Sequence, residues 1–148
     1  MPRPANAPLI AIQFVKSMDG IGTNVAADLP EDVSGWSSTG FVVVGPVTGG
    51  TPDMYVPMGD TVTQIDCYAV NPNSKTPPWG LAYELAEYIR AGTFDNTKTH
   101  VPLSLPTGYD SAMVLSSYLV SEPRSIPSDE GDYARVEFDL AFKWLSLG

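Results

Sequence analysis

The stretch from Thr61 to Arg90 constrains the fold most, because its residue pattern changes period in the middle. Thr-Val-Thr-Gln-Ile-Asp-Cys-Tyr-Ala-Val, residues 61 to 70, alternates β-branched and aromatic residues with polar ones, as a half-buried strand does. From Trp79 the apolar residues Leu81, Leu85, Tyr88 and Ile89 recur at helical spacing, with Glu84, Glu87 and Arg90 left for the wet side. Pro77 and Pro78 end the strand before the helix starts, since proline donates no ladder hydrogen bond and fits a helix only in its first turn. Gly92 then supplies a C-terminal stop. A strand thus hands the chain to a helix that must fold back over a sheet, and the rest of the chain has to supply that sheet.

A chain of 148 residues, 43% of them hydrophobic, suits one domain with a real core. No apolar run approaches the roughly 20 residues of a membrane span, and the N-terminus lacks the basic-then-apolar order of a signal peptide. The expectation is a soluble protein made in a cytoplasm, with no membrane partner. The single cysteine, Cys67, excludes an internal disulfide and leaves no partner for a structural zinc site. Seventeen acidic against eight basic residues give a net charge of −9, which argues against gripping a phosphate backbone but not against surrounding DNA without holding it. Acidity of this kind ordinarily serves solubility alone.

In chain order, residues 1 to 8 hold three prolines and read as an extended, flexible arm. Leu9 to Met18 carries Ile10, Phe14 and Met18 at i, i+4 and i+8, which fits a largely buried helix, although its isoleucines and valine leave a strand open. Gly20 and Gly22 end it. Asp19 to Gly40 reads as a loop rich in turn formers, with Trp36 folding back onto the core. Phe41 to Val47 reads as a strand whose Pro46 marks an edge or a bulge. The connection from Thr48 to Asp60 is too long for a tight turn and carries Met54, Tyr55, Val56 and Met58. Those apolar residues either tuck onto their own domain or form a contact surface for another subunit.

After the central helix, Thr93 to Asp110 is a second long loop containing Phe94, His100, Leu103 and Leu105, and loops of this length tend to be functional or disordered. Ser111 to Ser121 reads as a strand without clean alternation, and Glu122 to Asp132 as a flexible turn. The last strand is the clearest. Ala134, Val136, Phe138, Leu140, Phe142 and Trp144 share one face, while Arg135, Glu137, Asp139 and Lys143 share the other. The charged face meets water or a partner that pairs with it. The expected architecture is α+β: an αββαββ two-layer sandwich, a four-stranded mainly antiparallel sheet with two helices on one face.

Little in the chain proposes chemistry. His100 sits in a proline-rich loop with no spaced partner for general-base work. Cys67 shares parity with Ile65 and Ala69 and reads as a small buried residue. Asp66 shares the other face with Gln64 and Tyr68; it is either a solvated strand carboxylate or a salt-bridge partner across a subunit interface. Gly49-Gly50 lacks the lysine and hydroxyl of a phosphate loop, and Asp28, Glu31 and Asp32 lack the spacing of a calcium loop. No basic patch with interleaved aromatics suggests nucleic-acid readout. The residues propose no catalytic group, no metal and no cofactor, and the chain is expected not to be an enzyme.

Trp36, Phe41-Val-Val-Val-Gly45, Gly49-Gly-Thr-Pro-Asp53, Gln64-Ile-Asp-Cys-Tyr-Ala69 and Pro77-Pro-Trp-Gly80, followed by the Leu-Ala-Tyr-Glu-Leu-Ala helix, resemble in their order the tail terminator proteins of long-tailed bacteriophages, particularly those of actinobacterial hosts. The resemblance spans roughly residues 9 to 145. It implies an αββαββ subunit in a homo-hexameric ring on the head-proximal end of the tail tube, in the neck region of a virion assembled in the host cytoplasm. Such a ring ends polymerisation of the tail tube protein and offers a surface to the head-tail connector, or stopper, protein, while genomic DNA passes through its lumen without specific binding. The candidate interface residues are Asp66, Tyr68, Arg135, Glu137, Asp139 and Lys143 on the strands, and Met54, Tyr55, Met58, Phe94, Leu103 and Leu105 on the loops. An acidic lumen would let DNA slide. Another neck or head-tail joining protein of the same virion stays open, as does a small hydrolase or ligand-binding domain that uses the Trp79 turn as a pocket wall and brings Asp66 and His100 into one cavity.

Overall fold

The computed structural model describes residues 2–71, 73, 76–127 and 133–148. Its elements are α1 (Ala7–Lys16), β1 (Val25–Ala26), a 3-10 turn (Val33–Gly35), β2 (Phe41–Pro52), β3 (Met58–Val70), α2 (Trp79–Thr93), β4 (Ala112–Leu119), β5 (Arg124–Ser125) and β6 (Tyr133–Ser146). The sheet has six strands in the order β1-β2-β3-β6-β4, with β5 also on β6. β1 runs parallel to β2 and every other pairing is antiparallel.

This corrects the expected four-stranded two-layer sandwich: the sheet is mixed, six-stranded and curled into a half-barrel. Two causes are visible. First, β1 and β5 are two residues each, too short to leave a periodic signal, yet β1 adds a parallel edge beside Val42–Val43 and β5 extends the far side of β6. Second, the connection at 48–60 is mostly strand, with only residues 53–57 left as a loop. β2 continues to Pro52 and β3 begins at Met58, so the two form one long ribbon. Bulges between Val44 and Val47 and between Val47 and Gly49 turn that ribbon, as bulges do by adding a residue to one strand only. Thr63 Oγ1 donates to the carbonyls of Gly45 and Pro46 at 3.2 and 3.3 Å and stabilises the first of them. Pro46 lies on an edge and in a bulge at once, since nothing pairs with its missing N–H.

The main core joins the inward residues of the strands to both helices. Ile10, Phe14 and Met18 of the first helical segment meet Ile65, Cys67, Val136, Phe138 and Leu140 there, all buried. Asn6 caps α1 by accepting from the Leu9 N–H at 3.1 Å. In α2 the buried stripe runs through Ala82, Leu85, Ala86 and Ile89, while Tyr88 lies outside it and donates to Glu84. Gly92 is not a stop but a contact, because a Cβ there would lie 2.7 Å from Met18. The segment that follows α1 thus packs its Met18 side chain directly on the α2 backbone, and a larger residue at 92 would make that side chain move.

The opposite face of the sheet is not bare either. Trp36, Phe41 and Val70 form a second small core there with Tyr68 and Tyr133 at its margin. Trp36 thus folds back, but onto the face away from the helices. The arm expected over residues 1 to 8 is shorter, because Ala7 and Pro8 already belong to α1; residues 2–6 are stitched down, Arg3 pairing with Tyr109 and the Ala5 N–H donating to Ser146 Oγ at 3.1 Å. The segment read as a flexible turn at 122–132 is described only to Pro127, and residues 128–132 lie outside the described residues.

Candidate assembly surface

The antiparallel register of β3 and β6 sets Asp66 opposite Glu137 and Tyr68 opposite Arg135, and β5 sets Arg124 opposite Glu137. Arg135 Nε donates to Asp66 Oδ1 at 3.0 Å and Nη2 to Glu137 Oε2 at 3.3 Å; Arg124 pairs with the other Glu137 oxygen. Gln64 Nε2 donates to Asp66 Oδ2 at 3.0 Å. Burial works against the charged guanidinium of Arg135, but the hydrogen bond and charge of Asp66 outweigh it and raise its pKa. Asp66, only 4% exposed, is neither a solvated carboxylate nor free for a neighbouring subunit. Its charge is balanced inside the chain, because the cross-strand register brings Arg135 within reach first. Tyr68 is half-buried beside Arg135, with the guanidinium 5.7 Å from its ring centroid.

The rest of the charged face is more open. Asp139 is half-buried opposite Gln64, its N–H donating to Ser121 Oγ at 3.1 Å, and Lys143 is exposed opposite Asp60. At the end of the ribbon, Met54 and Tyr55 are 85% and 88% exposed. Their loop is nonetheless ordered, since Asp53 Oδ1 accepts from the Tyr55 and Val56 N–H groups at 2.7 and 3.0 Å, which lowers the Asp53 pKa. Met58 is half-buried opposite Leu145. Phe94, just past α2, is 77% exposed. Leu103 and Leu105 differ from these: Leu103 is buried in the main core, bridged to Ala112, and Leu105 packs against that core half-buried. Apolar loop composition alone did not separate projecting side chains from inward ones.

His100 has φ of 59° and its N–H donates to the Val114 carbonyl, which places it beside the residue paired with Trp144. Asp66 is paired with Glu137, seven positions away along β6 or about 23 Å. The structure therefore does not bring Asp66 and His100 together. An open groove of about 340 Å³ is lined by Leu29, Pro30, Glu31, Tyr68, Pro127, Tyr133 and Arg135, and Trp79 is not among its lining residues. Among the described residues no three His, Cys, Asp or Glu side chains converge to hold a metal. Burial, then the charge of Asp66, pushes the Cys67 thiol pKa far up, so this cysteine is inert in the folded chain. Among the described residues no helix is long and apolar enough to cross a membrane.

One feature escaped sequence reasoning. Among the described residues β1 covers β2 only at Val42–Val43, and His100 and Leu103 cover only the start of β4, so within them both sides of the sheet end in open strand edges. The signal was present in the composition: Phe41 to Pro52 and Ser111 to Ser121 contain no charged residue.

No protein-family model and no curated protein matches the chain. Among solved structures, a chain in the virion of a native gene transfer agent particle is similar to it with a TM-score of 0.52, over 95% of this chain and 86% of that one, at 13% sequence identity. At that identity the likeness extends to the fold.

Proposed function

We propose that the chain is a structural protein of a phage-like virion, and that it acts as a tail terminator: copies close into a ring on the head-proximal end of the tail tube, stop its growth and offer a surface to the head-tail connector. The observation that carries the reading is the shared fold over 95% of the chain with a chain of a gene transfer agent virion. The geometry is compatible with it. A subunit of an assembly needs surfaces built to be covered, and here Met54, Tyr55 and Phe94 project into solvent from ordered backbone. The tail tube protein, the connector and further copies of this chain are the proposed partners, with DNA passing through an acidic lumen.

The test is tube assembly. Purified tube protein is polymerised with and without this chain, and the products are viewed in negative stain. A terminator gives tubes of limited length with extra density at one end only. Tubes of unchanged length with undecorated ends would exclude that role, while a ring that binds connector but not tube ends would point to a different neck protein.

A further inference from the structure

Four strands run side by side in unbroken rows near the ribbon end of the sheet. Thr51, Asp60, Lys143 and Ser116 form one row; Gly50, Thr61, Phe142 and Ser117 the next; Gly49, Val62, Ala141 and Tyr118 a third. Every row begins on β2 and ends on β4. Apart from the ladders to β3 and β6, no backbone hydrogen bond among the described residues involves Val44 to Pro52 or Leu115 to Leu119. Both edges are therefore open, and they are open at the same height along the sheet.

Natural sheets blunt such edges with charged side chains, with proline or with bulges. Here Pro46 and Pro52 stand on β2 and bulges interrupt both edge strands, but the stretches Gly49–Thr51 and Ser116–Tyr118 themselves hold neither proline nor charge. The chain's charges sit on the interior strands, at Asp60, Asp66, Arg135, Glu137, Asp139 and Lys143, while β2 and β4 carry none. Strand direction adds a further constraint. β2, β3, β6 and β4 alternate in direction, so β2 and β4 run oppositely. Two copies set side by side by a rotation about an axis along the strands bring the β4 edge of one antiparallel to the β2 edge of the other. An isologous β2-to-β2 contact would leave both β4 edges uncovered, and a β4-to-β4 contact both β2 edges.

We infer that the occupant of the open β2 edge is the β4 edge of a second copy of this chain, joined as a continuous antiparallel sheet along Gly49–Thr51 and Ser116–Tyr118. The contact is heterologous, so each copy uses one edge of each kind. The inference specifies the subunit contact of the proposed assembly, but it concerns only how copies join and holds for any role of the assembly.

The test uses two edge-blocked variants of the full chain. Thr48→Lys with Thr51→Lys charges the β2 edge, and Ser116→Lys with Tyr118→Lys charges the β4 edge; all four positions are exposed. Circular dichroism and thermal melts establish that each variant folds. Sedimentation is expected to show self-association of the unaltered chain and a loss of about 100-fold or more in each variant alone, since unpaired charge in a strand-to-strand contact is strongly unfavourable. An equimolar mixture is expected to form a one-to-one pair that grows no further, because one intact β2 edge then meets one intact β4 edge. An unaltered chain that stays monomeric, folded variants that associate as it does, or a mixture that stays monomeric would each overturn the inference. Capping of tail tubes is scored separately. Tubes capped by edge-blocked variants would sink the edge contact and spare the terminator role, and edge pairing without capping would do the opposite.

Discussion

Replacing Asp66 by alanine tests whether the ion-pair network belongs to the folded subunit or to its contacts. In the structure Asp66 is buried and receives Arg135 Nε at 3.0 Å and Gln64 Nε2 at 3.0 Å. Removing one partner of a fully buried pair costs about 3–5 kcal/mol, because a desolvated charge is left behind. Two features reduce that here: the Arg135 side chain is 32% exposed, and its contact to Glu137 at 3.3 Å survives the change. The expected loss is about 2–3 kcal/mol, or a melting temperature lower by about 5–10 °C for a chain of this size. The drop should be the same at low and high protein concentration, since the pair lies within one subunit. Asp66→Leu combined with Arg135→Met removes both charges and should stay within about 1.5 kcal/mol of the parent, with Glu137 still held by Arg124. Scanning calorimetry across a range of concentrations decides it. A melting point changed by less than about 1 °C, or a drop seen only where the protein self-associates, would refute the assignment of these charges to the interior.

Gly50→Ala should break the ribbon, since Gly50 has φ of 105° and a Cβ there would lie 2.1 Å from the Asp60 carbonyl oxygen; hydrogen exchange should rise across residues 47–60 with the helices unaffected. Trp36→Phe removes a buried indole N–H that has no hydrogen-bond partner among the described residues, so it should cost less than about 1.5 kcal/mol, whereas Trp36→Ala should cost about 3–5 kcal/mol in chemical denaturation. Cys67 should react with thiol reagents only after unfolding. Its folded pKa lies above the ordinary 9.0, so the folded chain keeps a proton that the unfolded chain releases. That contribution leaves stability unchanged below about pH 9 and lowers it above, by up to about 1.4 kcal/mol per pH unit, and Cys67→Ala should remove this component from melts between about pH 8 and 10.5.

The strong periodicities carried most of the element order. Phe138 and its neighbours alternate over the whole of β6, and Ile10 and Phe14 recur at helical spacing in α1, so both elements were legible. The class of sheet was not, for reasons of scale. Val25–Ala26 and Arg124–Ser125 are each a single pair of residues that become strands only because a longer neighbour is already in place. Gly49, Gly50 and Pro52 are turn-forming residues inside a strand, where bulges and a positive φ accommodate them, so tertiary pairing overrode local preference. Among the candidate site residues, exposure of Met54, Tyr55 and Phe94 agreed with their placement on projecting segments. For Asp66 and Leu103 residue type was a poor guide: a charged residue is buried by a partner 69 positions away, and a loop leucine faces inward because its backbone bridges Ala112.

Ser146 has a mechanical role that its size conceals. Its hydroxyl accepts the Ala5 N–H, its own N–H donates to the Pro57 carbonyl beside the ribbon tip, and it lies opposite Ala112 in the sheet. One small residue thus ties three parts together, its side chain holding the leading segment and its backbone holding the tip and the start of β4. A pull on Tyr55 is shared by three distant parts of the polypeptide, which makes this corner stiff where an unsupported finger would swing.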